Sequence, residues 1–152
     1  MCSREDSRAC GFCLSLQKYI RALRLPFISA SILPFILGSF IDKQSFLLGK
    51  FLIGLMAVVS THLGANLLND YADSKSGVDW QDRKWYTFFG GSKLIQEGEL
   101  SEKFYFYAAM ICFAIAAVCI LMLSLFLRNF SIIGFYALIL FLGFSYSHKP
   151  PA

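Results

Sequence analysis

The residues able to do chemistry are concentrated in one stretch. Positions 66–79 read Asn-Leu-Leu-Asn-Asp-Tyr-Ala-Asp-Ser-Lys-Ser-Gly-Val-Asp and follow one of the most apolar segments of the chain. Carboxylates at the foot of such a segment are costly unless something uses them. At 100° per residue, His62, Asn66, Asn69 and Asp73 fall within about 80° of each other, which makes a polar stripe down one face of a greasy helix. A stripe of this kind faces a bundle interior or a water-filled cavity, because lipid offers no hydrogen-bond partner. Taken alone, His62 is better read as a packed, hydrogen-bonded histidine; its alignment with the amides and the acid shifts it toward a cavity wall, together with Asn66. Asn69 and Asp73 are four apart and therefore neighbours on that face. Asp70 points about 100° from Asn69 and is expected at the rim or as a local cap. Gly77 comes next on the stripe, where a poor helix former bends the chain and lets Asp79 return beside Asp73. Amide and carboxylate oxygens in this grouping suit Mg²⁺, which takes one or two carboxylates and fills its remaining positions with water and phosphate oxygens. A solvated loop with ordinary acidic residues is the competing reading, and it leaves the stripe above it unexplained.

The loop that follows adds basic and aromatic groups. Trp80, Trp85, Tyr86, Phe88 and Phe89 cluster beside Arg83 and Lys84, the composition of a segment lying at a membrane interface. Gly90-Gly91-Ser92-Lys93 lets backbone amides approach an anion, with Lys93 placed to offset phosphate charge. The Walker spacing is missing, so this is no P-loop, and a Gly-Gly pair alone is more often a turn. Glu97, Glu99, Ser101 and Glu102 lead into the next apolar segment, with Ser101 expected as its N-cap.

The elements that position these groups are membrane helices. The 152 residues are 57% hydrophobic, above the roughly 45–50% of a soluble domain, and the mean hydropathy is +0.57. About 20 residues cross a bilayer, so the chain has room for four spans. They are expected at 25–41, interrupted by Pro26 and Pro34; at 46–68; at 104–127, without a charge; and at 130–146, short but adequate for a thin bilayer. The fold class is all-α, a multi-span transmembrane helix bundle. Residues 1–17 read as a flexible N-terminal arm, and 18–152 as one transmembrane domain.

Charge sets the expected topology. Of 14 Lys and Arg residues, only Lys43, Lys50 and Arg128 fall on the far side of a four-span arrangement. The N-terminus and the 69–103 loop are therefore expected in the cytoplasm, in the plasma membrane of a prokaryote or the equivalent side of an organelle. The net charge of +4 is a topology signal, and no basic face is available for nucleic acid. Span one lacks a cleavage pattern for a signal peptide. The stretch from Lys18 to Arg24 reads as a basic, amphipathic anchor at the headgroups. Cys10 and Cys13 form a Cys-x-x-Cys without the two further ligands a zinc site needs. The five cysteines imply no disulfide framework on that side of a membrane, and Cys112 and Cys119 read as small apolar groups in span three.

The string Asn69-Asp70-Tyr71-Ala72-Asp73, with Gly77-Val78-Asp79 and the block from Gly90 to Gly98, resembles the UbiA superfamily of intramembrane aromatic prenyltransferases. It is most similar to the 1,4-dihydroxy-2-naphthoate polyprenyltransferase branch. The family's first acidic motif, Asn-x-x-x-Asp-x-x-x-Asp, matches Asn69 and Asp73. Its last Asp is displaced here to Asp79, with Gly77 in the usual place, a spacing similar to the naphthoate branch. Arg24-Leu25-Pro26 and Tyr146-Ser147-His148-Lys149-Pro150 look like further family landmarks. The resemblance implies the first half of a nine-helix prenyltransferase fold, since the second Asp-rich motif is not in this sequence.

It also implies a reaction, in which a polyprenyl group passes from its diphosphate to an aromatic acceptor within the lipid bilayer. In the family, Mg²⁺ held by the acidic motifs binds the diphosphate, and the allylic cation alkylates the acceptor in a water-poor cavity. By this resemblance Asn69, Asp73 and Asp79 carry the catalytic and metal site, with Asp70 as a further metal candidate. Lys93 and Arg83 are diphosphate contacts, and His62, Asn66, Tyr71 and Tyr146 line the cavity. The same chemistry on 4-hydroxybenzoate, a chlorin or haem ring or a glycerol-phosphate lipid is the near alternative. A non-catalytic membrane module is the alternative of another class. A transporter relay fits less well, because the acids gather at one surface and do not cross the membrane.

Overall fold

Left-handed Arg24 and Arg128 mark two of the places where the apolar segments break. The computed structural model of the chain describes residues 16–41, 46–77 and 91–147, apart from the side chains of 146 and 147. Among the described residues every regular element is helical. The first, α1, is Leu16–Ala22. It stops at Arg24, which takes a left-handed backbone (φ 49°) as the N-cap of the next element, with Pro26 in that element's first turn, where a proline is tolerated. A 3₁₀ turn, Leu25–Ile28, leads into α2, Ser29–Ser39, with Pro34 inside it. The axis bends by 44° between α1 and the segment Leu25–Ser39. Span one is thus a broken element that begins before residue 25, and its straight helical part is only 11 residues long.

The longest element is α3, Leu48–Ser76, 29 residues. It carries the expected second span onward through Asn69 and Asp73 and ends at Gly77, whose φ of 84° is a conformation that glycine adopts without steric cost. Helix α4, Glu102–Leu127, is capped by Ser101, whose Oγ accepts from the Phe104 amide at 3.2 Å. Left-handed Arg128 ends it. The Asn129 side chain then accepts from the Ser131 amide at 3.0 Å at the start of α5, Ser131–Ser147.

The main packing is α3 against α4. Gly54, Ala57, Ser60 and Gly64 give α3 a row of small buried residues, the kind of surface on which membrane helices approach closely. A Cβ added at Gly64 would lie 3.0–3.2 Å from three atoms of the Phe113 ring. At the α2–α3 connection, Phe40 stacks on Phe46 with ring centroids 5.0 Å apart, and both contact Phe51. At the opposite end of α3, Ala22, Leu67, Leu68, Leu94, Tyr105 and Ala109 form the buried core.

Helices α3 and α4 are long and apolar enough to cross a membrane, and the bent pair of α1 with Leu25–Ser39 makes a third span if it counts as one. The fourth expected span is a 17-residue helix, shorter than the other two. Leu37, Ile41, Leu125, Phe126, Phe135 and Phe141 expose their apolar side chains, which water would not favour and lipid would.

Candidate functional site

The core cluster lies beneath a set of charges contributed by four segments. Asn69 and Asp73 share one face of α3, as their spacing requires, and Asn69 Nδ2 donates to Asp73 Oδ2 at 2.8 Å. Both are half-buried. This bond orients the pair, whose amide and carboxylate oxygens are hard donors by type. Asp70 is different. It is 2% exposed, and it accepts from the Arg24 guanidinium through Oδ1 and from the Ser92 backbone amide through Oδ2, the latter at 3.0 Å. The expectation of a rim position gives way to a buried one. The anion that meets the Ser92 amide is the protein's own carboxylate.

The network continues inward. Ser92 Oγ lies 2.6 Å from the Tyr105 hydroxyl, and both residues are buried. Ser92 is followed by Lys93, which is 5% exposed with a left-handed backbone (φ 61°). A tight turn follows, in which the Glu97 amide donates to the Lys93 carbonyl at 3.0 Å and the Glu99 amide to the Leu94 carbonyl at 2.9 Å.

Helix α1 docks on this turn by charge. Arg21 grips Glu97 with two bonds of 2.9 and 2.7 Å, and Lys18 pairs with Glu99. With Arg24 on Asp70, the three basic residues, spaced three apart, meet three acids. The basic anchor expected at the headgroups is therefore committed to partners within the chain. At the mouth of the site, Lys75 pairs with Glu102 at 2.6 Å, and Ser74 donates to the same carboxylate at 3.1 Å. That tie fastens the end of α3 to the start of α4.

Deeper along the stripe, His62 bonds Ser31 of α2 through Nδ1 at 2.8 Å. It lines a cavity of about 410 Å³ with Phe35, Val58, Thr61, Leu123 and Tyr136 among the other walls. His62 Nε2 and Asn66 Nδ2 are buried without a hydrogen-bond partner among the described residues. Buried polar atoms without a partner are costly; of the two residues, His62 belongs to the lining of this cavity and Asn66 does not. Tyr71 is half-buried, packs on Phe106 and lies against the core cluster.

Asp79 and Arg83, the aromatic cluster at 80–89, Cys10, Cys13 and the side chain of Tyr146 lie outside the described residues. Among the described residues no three His, Cys, Asp or Glu side chains group closely enough to hold a metal ion. Asn69 and Asp73 do fit Mg²⁺ in donor chemistry, as one carboxylate and one amide oxygen of a site that needs further oxygens. Arg24, Ser92 and Tyr105 are the site residues that sequence reasoning missed. The available signal was the three-residue spacing of Lys18, Arg21 and Arg24 against the acids at 97 and 99.

These features define an α-helical membrane protein with an ion-paired polar end on one long helix. In sequence the chain is 36% identical over 76 residues to the UbiA prenyltransferase domain-containing protein 1 homolog of Drosophila melanogaster, a match covering 47% of this chain and 21% of that protein. This similarity supports a place in the UbiA superfamily and, more generally, a prenyltransferase relationship. The chain matches about a fifth of that relative's length. Neither a protein-family profile nor a solved structure matches it.

Proposed function

We propose that this chain forms part of a Mg²⁺-dependent prenyltransferase that moves a polyprenyl group from its diphosphate to an aromatic acceptor. The acceptor proposed is 1,4-dihydroxy-2-naphthoate, a step in menaquinone synthesis. The observation that carries the reading is the Asn69–Asp73 pair, oriented by its own hydrogen bond at the polar end of an apolar helix. The partial similarity to a UbiA-domain protein supports the reaction class.

Asn69 and Asp73 would hold the metal with Asp79; Asp70 has both oxygens engaged by Arg24 and Ser92. The ion supplies Lewis-acid stabilisation of the diphosphate leaving group. Asn69 presents a neutral oxygen and keeps the Asp73 carboxylate aimed. Lys93 and Arg83 would neutralise diphosphate charge. The stripe from Asn66 to His62 would accompany the substrate into apolar surroundings that exclude water, which an allylic cation requires. In the proposed topology four spans place 69–103 on the cytoplasmic side.

The test is transfer of a labelled prenyl chain to dihydroxynaphthoate by the full-length protein in lipid, with and without Mg²⁺. Asp73→Ala is expected to lower the rate at least about 100-fold, the scale seen when a transition-state charge clamp is removed. Undiminished transfer by that variant would refute the assignment. A second reading is a module that binds prenyl diphosphates without turning them over. Tight binding of the diphosphate with no product would select it.

A further inference from the structure

We infer that Asp70 is a positioning residue: its buried carboxylate, shared between Arg24 and the Ser92 amide, fixes residues 91–93 against the end of α3 that carries Asn69 and Asp73. Three segments meet at this carboxylate, α3 that carries it and two others, and a fourth joins through Ser92. Arg24 comes from the left-handed joint between α1 and the 3₁₀ turn. Ser92 brings the segment that precedes α4, and its hydroxyl ties that segment to Tyr105 of α4 itself. Leu94, 1% exposed, packs into the same core as Leu67 and Leu68.

Chemistry and geometry agree on the role. A carboxylate that is 2% exposed persists as an anion only with charge and hydrogen-bond compensation, and here one oxygen takes a guanidinium and the other an amide. Such an anion organises its neighbours and is not offered outward. Asp73 stands three residues on and Asn69 one residue back, so the element that Asp70 anchors lies alongside the candidate donors. Lys93 is the residue after the anchored amide, and its left-handed backbone depends on where that amide is held. Arg24 likewise adopts a conformation that costs a non-glycine residue energy, which the ion pair offsets.

The functional half of this inference rests on the prenyltransferase reading; the structural half does not. Hydrogen exchange on the full-length protein in lipid nanodiscs tests the structural half. Asp70→Ala should raise exchange at amides 92–94 by about tenfold or more, with the middle of α3 and α4 unchanged. If that variant fails to fold, Asp70→Asn, which retains an acceptor oxygen, should give a smaller rise at the same amides. Unchanged exchange there overturns the inference.

Kinetics test the functional half. In Asp70→Asn the KM for prenyl diphosphate should rise several-fold while half-saturation by Mg²⁺ stays fixed, and Arg24→Lys should recover most of what Arg24→Ala loses. A shifted Mg²⁺ half-saturation would make Asp70 a ligand and overturn the positioning role. Wild-type protein that transfers nothing would refute the prenyltransferase reading and leave the exchange result to decide the positioning claim.

Discussion

Removing the Arg24 side chain should destabilise the protein far more than removing either basic residue before it on α1. In Arg24→Ala the Asp70 carboxylate, 2% exposed, loses its guanidinium partner and retains the Ser92 amide. Leaving one charge of a buried pair unmatched costs about 3–5 kcal/mol. The Arg24 side chain is 17% exposed, so the pair is not wholly removed from water and the loss should fall nearer 2–4 kcal/mol. Arg21 and Glu97 are 20% and 38% exposed, and Lys18 and Glu99 are 41% and 43% exposed. Pairs that water can reach contribute about 0–1 kcal/mol. Detergent-titrated unfolding of the three alanine variants should therefore rank Arg24 well above Arg21, with Lys18 near wild type. Adding Asp70→Asn to Arg24→Ala should restore part of the loss, since the stranded charge is gone while an acceptor for Ser92 remains. Equal losses at the three positions, or a loss below about 1 kcal/mol at Arg24, would refute the reasoning.

Two further expectations concern the scaffold. Gly64→Leu should separate α3 from α4, because its Cβ alone would lie 3.0 Å from the Phe113 ring; a cost of about 1–3 kcal/mol is expected from overpacking. Gly49→Ala, with nothing within 4 Å, is the control and should unfold like wild type. Ser101→Ala removes the bond to the Phe104 amide and should cost about 1 kcal/mol, read as faster hydrogen exchange in the first turn of α4.

The local parts of this architecture were legible in the sequence, and the long-range parts were not. Helical periodicity put Asn69 beside Asp73, the poor helix propensity of glycine marked the bend at Gly77, and residue type ahead of an apolar run picked Ser101 as a cap. Each depends on residues no more than four apart, where backbone geometry dictates the neighbours. The partners of Asp70 are 46 and 22 residues away, and no period of a single helix reports them. Lys18, Arg21 and Arg24 read as a topology signal because basic residues beside a span carry that meaning by default. Their regular spacing was the one hint in the sequence that they also pair with acids, and which acids, Glu99, Glu97 and Asp70, follows from the packing of α1. Span one was placed from its apolar run. The left-handed Arg24 and Pro26 instead split it, so its helical content begins before residue 25 and turns by 44°. The UbiA motif was legible, and the partial similarity to a fly protein supports that superfamily without selecting the naphthoate branch or a prokaryotic membrane.

Helix α3 also works as a ruler. Its 29 residues extend about 43 Å at 1.5 Å per residue, against a hydrocarbon core of about 30 Å. The rod is longer than the oil is thick, and Asn69 and Asp73 lie in its final turns. His62 sits seven residues before Asn69 and eleven before Asp73 on the same face, about 10 and 16 Å away along the axis. An amphiphile whose charged head docked at the acid would have its tail laid along the helix toward that histidine. Depth along one rod thus separates where a charge can rest from where only hydrocarbon can.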